Sequence, residues 1–85
     1  MDTNLKELLT YIVAELVDDP AAIDIREVIV PSETGVQEIT LELRVAKEDM
    51  GKVIGRQGRI ARELRTIMRT AASRIDTRVN VEICD

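Results

Sequence analysis

Apolar side chains recur at two different spacings along the chain, and the changes of spacing divide it into six elements. The first element is predicted to be an amphipathic helix, because its apolar residues are three or four positions apart: Leu5, Leu8, Leu9, Ile12 and Leu16. Thr3 or Asn4 can cap its start, and Asn4 with Glu7 resembles a capping box. We expect Asp18-Asp19-Pro20 to end this helix, since a residue before proline is pushed out of the helical region.

Two strands are predicted next. Residues 25–30 are rich in β-branched side chains, and residues 31–35, Pro-Ser-Glu-Thr-Gly, have the composition of a turn. Beyond the turn the apolar residues alternate with polar ones: Ile39, Leu41, Leu43 and Val45. This period of two predicts a strand with one buried face, and the short connection predicts an antiparallel hairpin.

Two helices and a last strand follow. Residues 47–54 favour a short helix that is interrupted at Gly55, and a longer helix is predicted from about residue 59 to residue 75. One face of the longer helix is apolar: Ile60, Leu64, Ile67, Met68, Ala71 and Ile75. The opposite face carries arginines: Arg59, Arg62, Arg65 and Arg69. Val79, Val81 and Ile83 then alternate with polar residues, which predicts a strand.

The predicted order is therefore α-β-β-α-α-β, an α+β fold. The last two strands are joined through a pair of helices, so they should be parallel if they are neighbours, with a right-handed crossover. We expect a three-stranded mixed sheet with three helices on one face. With 85 residues and no linker, repeat or low-complexity segment, residues 1–85 are expected to form a single domain.

Composition narrows the possible functions. The chain has no histidine and one cysteine, so it cannot supply a zinc site or a histidine-based catalytic triad, and we expect neither an enzyme nor a bound metal or cofactor. No apolar run is long enough to span a bilayer, and the first residues do not resemble a signal peptide. These features favour a cytoplasmic protein that does not bind membranes.

The net charge of −4 hides a strong segregation of charge. Residues 1–50 carry four basic and twelve acidic side chains, a balance of −8, whereas residues 51–78 carry eight basic and two acidic ones, a balance of +6. The distribution of charge matters more than the total for nucleic-acid binding. The basic segment is therefore the candidate binding region.

A Gly-x-x-Gly loop lies at the start of the basic segment, between the two predicted helices. Gly55 and Gly58 can adopt positive φ and let a phosphate approach the backbone closely. The next helix begins at about Arg59, where unpaired amides and the helix dipole favour an anion. Lys52, Arg56 and Arg59 surround this site with positive charge, and arginine can bind phosphate oxygens bidentately.

The sequence Val53-Ile54-Gly55-Arg56-Gln57-Gly58-Arg59-Ile60 resembles the signature of the KH domain, an apolar pair followed by Gly-x-x-Gly and, two or three places later, an isoleucine. The element order is similar to that of the bacterial, or type II, form. The length of the chain, together with residues 48–55, resembles the small stand-alone bacterial KH proteins of the KhpA family.

The resemblance implies that the protein binds about four nucleotides of single-stranded RNA, with their backbone held by the loop. The residues implied in binding are Lys52, Val53, Ile54, Gly55, Arg56, Gln57, Gly58, Arg59 and Arg62. Val53 and Ile54 are expected to line an apolar groove for the bases, supported from the sheet by Leu41 and Leu43. The resemblance also implies pairing with a second copy or with a larger KH protein (KhpB, also called Jag or EloR), and a role as RNA chaperone or post-transcriptional regulator linked to cell shape.

Simpler interpretations stay open for each feature. A Gly-x-x-Gly pair alone often forms an ordinary turn, and arginines opposite an apolar stripe are often just a solvated face. The acidic first half and the net charge of −4 favour a second function, a module that dimerises or recruits a partner and binds RNA weakly or not at all. An enzyme that acts on phosphate compounds, or on any other small-molecule substrate, is the least favoured function, because no general base is found near the loop.

Overall fold

The computed structural model describes residues 4–85, which form the six elements in the predicted order. The helices are α1 (Leu5–Ala14), α2 (Met50–Ile54) and α3 (Arg59–Ser73), and the strands are β1 (Asp24–Val30), β2 (Gln37–Arg44) and β3 (Thr77–Ile83). Short 3₁₀ turns occupy Pro20–Ala22, Lys47–Asp49 and Arg56–Gly58. The predicted helix over residues 47–54 is thus a 3₁₀ turn followed by α2.

The first helix begins as predicted and ends early. The Asn4 side chain accepts a hydrogen bond of 3.1 Å from the backbone N–H of Glu7, so Asn4 is the cap. Thr3, the alternative cap, lies outside the described residues. Most of the N-terminal segment that was predicted not to be a signal peptide lies outside them too. The helix stops at Ala14, because the amide of Leu16 donates to Val13 at 2.9 Å in a tighter turn.

Within residues 4–85 the strands form one three-stranded mixed sheet, which confirms the predicted α+β class. The central strand, β2, pairs with β1 antiparallel and with β3 parallel. Leu41 therefore stands opposite Glu27 on one side and Val81 on the other. The β1 edge and the β3 edge are the two free edges of this sheet.

The core lies between the helices and one face of the sheet. Ile39, Leu41 and Leu43 alternate with exposed or half-exposed residues, so they all face the helices. They pack against residues from all three helices: Leu5, Leu9, Val13, Val53, Leu64, Met68 and Ala72. The other face of the sheet is polar, as expected of a face in water.

The buried face of α3 differs from the predicted one. Its buried residues are Ala61, Leu64, Met68 and Ala72, whereas Ile67 keeps 45% of its surface exposed. The buried stripe is rotated from the predicted face, since Ala61 and Ala72 were not predicted to be buried, and Ile75 lies beyond the end of the helix. Among residues 4–85, no helix is long and apolar enough to cross a membrane.

Candidate functional site

The loop between α2 and α3 has a backbone that only glycine adopts readily at two of its positions. Gly55 ends α2 with φ 75° and ψ 174°, and Gly58 precedes α3 in the left-handed region, with φ 75° and ψ 14°. Between them Gln57 also has positive φ, at 57°. Three positive φ values within four residues reverse the chain sharply and join two helices of different direction.

Gly55 is also required by close packing. A Cβ atom at this position would lie 2.8 Å from the backbone nitrogen of Ile60 and would overlap its side chain. At Gly58 the nearest atom to an added Cβ is Nη1 of Arg62, at 3.5 Å, an ordinary van der Waals distance. The first glycine is therefore constrained by space and by φ, and the second by φ alone.

The amides at the centre of the loop are free. In the part of the chain that the structure describes, the backbone N–H groups of Arg56 and Gln57 donate to no protein acceptor. The next two amides are used, since Gly58 donates to Gly55 at 3.2 Å and Arg59 donates to Arg56. Adjacent free amides in a turn can form a concave site for an anion.

Arg62 contacts the loop itself. Its Nη1 donates a hydrogen bond of 2.8 Å to the carbonyl oxygen of Gln57, the residue whose φ is unfavourable. The resemblance to KH domains implied that Arg62 contacts RNA. In the structure Arg62 lies one helical turn beyond the loop, and its guanidinium reaches back to bond the loop backbone.

The other arginines in and near α3 differ in their surroundings, whereas the arginines of a simple solvated face would all have similar surroundings. Arg59 lies 3.7 Å from the carboxylate of Glu63, an exposed pair of the kind that contributes little. Arg65 donates from Nε to the carbonyl oxygen of Val81 at 3.1 Å. Arg56, in the loop, is exposed and forms no ion pair within residues 4–85.

Lys52 is paired with two carboxylates. Its Nζ contacts Asp18 and lies 3.0 Å from Asp49, and hydrogen bonds to these two groups raise the pKa of the lysine. Asp49 is 1% exposed and accepts from the amides of Asp18 and Asp19 at 3.2 and 3.0 Å. Burial acts to raise the pKa of Asp49, but its hydrogen bonds outweigh burial, and the pKa is lowered. This cluster fastens the start of α2 to the end of the α1 segment.

The predicted apolar groove needs a correction. Val53 is 0% exposed and belongs to the core, so its side chain does not line a surface. Leu41 and Leu43, which were expected only to support the groove from the sheet, are buried in the same core. Ile54 is 38% exposed and lines a cavity of about 510 Å³ with Val45, Lys47, Met50 and Asp85. Only the second residue of the apolar pair, next to Gly55, is available to a ligand.

A second groove, which the sequence did not predict, runs between α3 and the free edge of β3. One end, of about 280 Å³, is lined by Arg65, Arg69, Val79, Asn80, Val81 and Glu82. The other, of about 550 Å³, extends past Arg69 to Ser73, Thr77 and Arg78. The basic helix face and the last strand were both predicted, but only the packing of α3 on β3 brings them together.

The free edge of β3 supplies unpaired backbone groups to this groove. The amide of Cys84 donates to Leu43 at 2.8 Å, so the even-numbered residues of β3 direct their backbone groups to β2. The odd-numbered residues, Val79 and Val81 among them, direct theirs outward. Among residues 4–85 no group of histidine, cysteine, aspartate and glutamate is arranged to hold a metal ion.

Sequence comparison gives consistent matches over nearly the whole chain. Residues 6–83 match the family described as KhpA/KhpB, KH domain. RNA-binding protein KhpA of Clostridium acetobutylicum is 52% identical over 79 residues, which cover 93% of this chain and 99% of that protein. RNA-binding protein KhpA of Treponema pallidum is 47% identical over 85 residues, the full length of both chains.

Comparison with solved structures identifies the same fold in a larger protein. The match to Era in complex with MgGDPNP and nucleotides 1506–1542 of 16S ribosomal RNA has a TM-score of 0.63 and 24% identity. This match covers 96% of the present chain but only 31% of the Era chain. Era of Aquifex aeolicus matches with a TM-score of 0.61 and 22% identity, also over 31% of its chain. At this identity the likeness shows the fold, a type II KH domain. The sequence matches show the family and the fold agrees with it: the chain belongs to the KhpA/KhpB family of KH domains.

Proposed function

We propose that the protein binds single-stranded RNA by holding a phosphate at the free amides of Arg56 and Gln57. These two N–H groups carry the proposal, because they are adjacent, exposed and without a protein acceptor in residues 4–85. The glycines on either side leave the backbone open to a phosphate. The guanidinium of Arg56 adds a charged donor at the same place.

The residues around the loop have different roles in this proposal. Gly55 and Gly58 set the backbone, Arg56 and Gln57 bind phosphate, and Arg59 adds charge beside them. Ile54 offers an apolar surface to a base at the cavity next to the loop. Val53 acts from the core, and Lys52 contributes little charge to RNA because Asp18 and Asp49 already neutralise it.

The groove between α3 and β3 extends the site beyond the loop. Arg65 lies seven residues after Gly58, about 11 Å along the helix, which is within the span of the four nucleotides that a KH loop holds. The outward N–H and C=O groups of Val79 and the outward N–H of Val81 can form hydrogen bonds with base edges there, whereas the carbonyl of Val81 already accepts from Arg65. The scarcity of aromatic residues is consistent with recognition that does not depend on stacking.

Relatives support RNA binding as the function of the family. Those from C. acetobutylicum and T. pallidum are both named RNA-binding protein KhpA. We propose that the protein acts in the cytoplasm as an RNA chaperone or post-transcriptional regulator, without catalysing a reaction and without a cofactor. The link to cell shape is part of the same proposal.

A second candidate function is association with another KH protein, either a second copy or a larger protein of the KhpB (Jag or EloR) type. The exposure of two large apolar side chains favours it, since Tyr11 on α1 is 64% exposed and Ile67 on α3 is also uncovered. Sedimentation velocity at micromolar concentration tests self-association. A single species of 9.5 kDa would contradict a homodimer.

The main proposal is tested by titrating a fluorescent single-stranded RNA with the wild-type protein and with the double variant Arg56→Asp/Gln57→Asp. Both changes lie in an exposed loop, so the fold should survive while two carboxylates repel the phosphate. The matched control is Lys6→Asp/Gln37→Asp, which changes the net charge by the same amount at exposed sites on α1 and β2.

We expect the wild type and the control to bind, with affinity that falls as salt rises, and the loop variant to lose binding. Equal binding by both variants would move the contact away from the loop. Equal loss in both would show that net charge alone controls affinity. If even the wild type does not bind, association with a protein partner becomes the leading function.

A further inference from the structure

The guanidinium of Arg65 is fixed against the edge of the sheet in a way that leaves a fork of donors free. Nε donates to the carbonyl oxygen of Val81 at 3.1 Å, which anchors the group at the strand edge. An arginine has five N–H donors, so the two terminal nitrogens keep four. Among residues 4–85 they have no hydrogen-bond acceptor and no ion-pair partner.

The donors of Arg65 have no competing carboxylate. Arg65 and Arg69 line one end of the groove, a space of about 280 Å³, together with the edge of β3. Val79 and Val81 face the core, so the side chain of Glu82 lies on the opposite face of the sheet. Within residues 4–85 no carboxylate pairs with either arginine, so the fork of Arg65 is available to a ligand.

We infer that this end of the groove is a specificity pocket for a guanine base of the bound RNA, read by the Arg65 fork. Guanine presents two adjacent acceptors, O6 and N7, which match the terminal nitrogens of arginine. The inference rests on the proposed function, since the base reaches the pocket only on a strand held at the loop.

Other bases fit the Arg65 fork less well. Adenine presents N7 beside the N6 amino group, so one half of the Arg65 fork would face a donor. Cytosine presents an amino donor in the major-groove position where guanine has O6. A good bidentate contact discriminates against a wrong base by about 1–3 kcal/mol, which is roughly a 5- to 150-fold difference in affinity.

The test uses 5′-fluorescein hexamers of adenosine with a single G, C, inosine or 7-deazaguanine at the fourth position, and an all-adenosine hexamer. For the wild type we expect the G probe to bind about tenfold more tightly than the all-A and C probes. 7-Deazaguanine lacks N7 and should fall back toward the all-A value. Inosine lacks only the 2-amino group and keeps O6 and N7, so it should bind as tightly as G.

Two matched variants assign the effect to a residue. Arg65→Lys keeps the charge but removes the fork, so it should lose the preference for G over the all-A probe, whatever its affinity for the all-A probe. Arg69→Lys should keep the preference. Circular dichroism and thermal melts confirm that each variant is folded.

The possible outcomes separate this inference from the proposed function. If wild type binds every probe with equal affinity, or binds 7-deazaguanine as tightly as guanine, the guanine pocket is wrong while RNA binding stands. A preference for G that survives Arg65→Lys would also overturn it. If no probe binds at any accessible concentration, the proposed function and this inference fail together.

Discussion

A Cβ atom on Gly55 would lie 2.8 Å from the backbone nitrogen of Ile60, closer than real Cβ contacts come. Gly55 also has φ 75° and ψ 174°, a region of backbone space that is essentially confined to glycine. Gly58 has a similar φ, but an added Cβ would meet only the end of the Arg62 side chain, at 3.5 Å. The two glycines of one motif are thus constrained to different degrees.

Gly55→Ala should therefore destabilise the protein more than Gly58→Ala. We expect a loss of about 1–2 kcal/mol in the free energy of unfolding for Gly58→Ala, the usual cost of a left-handed L-residue. For Gly55→Ala we expect about 3 kcal/mol or more, since strain and steric overlap add. Urea denaturation of both variants measures this difference. Equal losses would mean that the α2–α3 junction relaxes around the added methyl group.

Leu41→Ala should be among the most damaging changes outside the loop. Leu41 is fully buried on the central strand. It pairs with residues of β1 and β3, and all three helices contribute side chains to the same core. Truncating such a side chain typically costs about 2–5 kcal/mol. Tyr11→Ala removes a larger but exposed side chain and should change stability by less than about 0.5 kcal/mol. Thermal melts of both variants check this, and similar effects would contradict the assignment of the core.

Patterns of short range predicted most of the fold. The alternation of Ile39, Leu41 and Leu43 correctly predicted β2 and its buried face, and the Gly-x-x-Gly motif correctly located the junction of two helices. Periodicity alone could not show which side of α3 the sheet would cover. For this reason Ile67 was assigned to the apolar face, although it is exposed.

Contacts between residues far apart in the chain were not predictable in the same way. Asp18 and Lys52 are separated by 34 positions, and nothing in the spacing of charges indicated that this carboxylate would occupy the lysine. The bond from Arg65 to Val81 also depends on how α3 packs on β3. The sequence therefore identified the basic segment correctly, but tertiary packing decides which of its cations are free.

The buried carboxylate of Asp49 should make the free energy of unfolding depend on pH in the acid range. Its pKa is lowered in the folded state, so its contribution is present above the ordinary aspartate value of about 4 and is lost as the pH falls through the lowered pKa. Asp49→Asn should be less stable than wild type at pH 7, and the difference should shrink below about pH 4. Urea midpoints at pH 7, 4 and 3 measure it.

Glu33→Gln is the matched control for that experiment, because Glu33 is an exposed turn carboxylate with no ion pair in residues 4–85. Its difference from wild type should be small at every pH. A difference for Asp49→Asn that stayed constant from pH 7 to pH 3 would show that the loss comes from side-chain shape and not from charge.

Arg62 should affect RNA affinity through the shape of the loop, whereas Arg56 should act through its charge. Arg62→Gln removes the donor to the Gln57 carbonyl, so affinity should fall while the slope of log affinity against log salt changes little. Arg56→Gln should lower the magnitude of that slope by about 0.7, the value for one phosphate contact on a single strand. Binding titrations from 50 to about 300 mM salt separate the two. A reduced slope in Arg62→Gln would identify it as a phosphate contact after all.

Substitutions of Lys52 and of Arg56, which are four residues apart, should have opposite effects. Loss of the lysine should mainly lower stability, and loss of the arginine should mainly lower RNA affinity. Lys52 is bonded to Asp18 and to the buried Asp49, so Lys52→Gln leaves a buried carboxylate with one partner fewer and should destabilise the fold. Arg56 has no ion pair in the described residues, so Arg56→Gln should leave stability within about 0.5 kcal/mol of wild type. In RNA titrations at a temperature where both variants are folded, Arg56→Gln should lose affinity and Lys52→Gln should lose much less. If Lys52→Gln weakens RNA binding as strongly as Arg56→Gln, the lysine must leave its carboxylates when RNA binds, and the Asp49 cluster would then be part of the site.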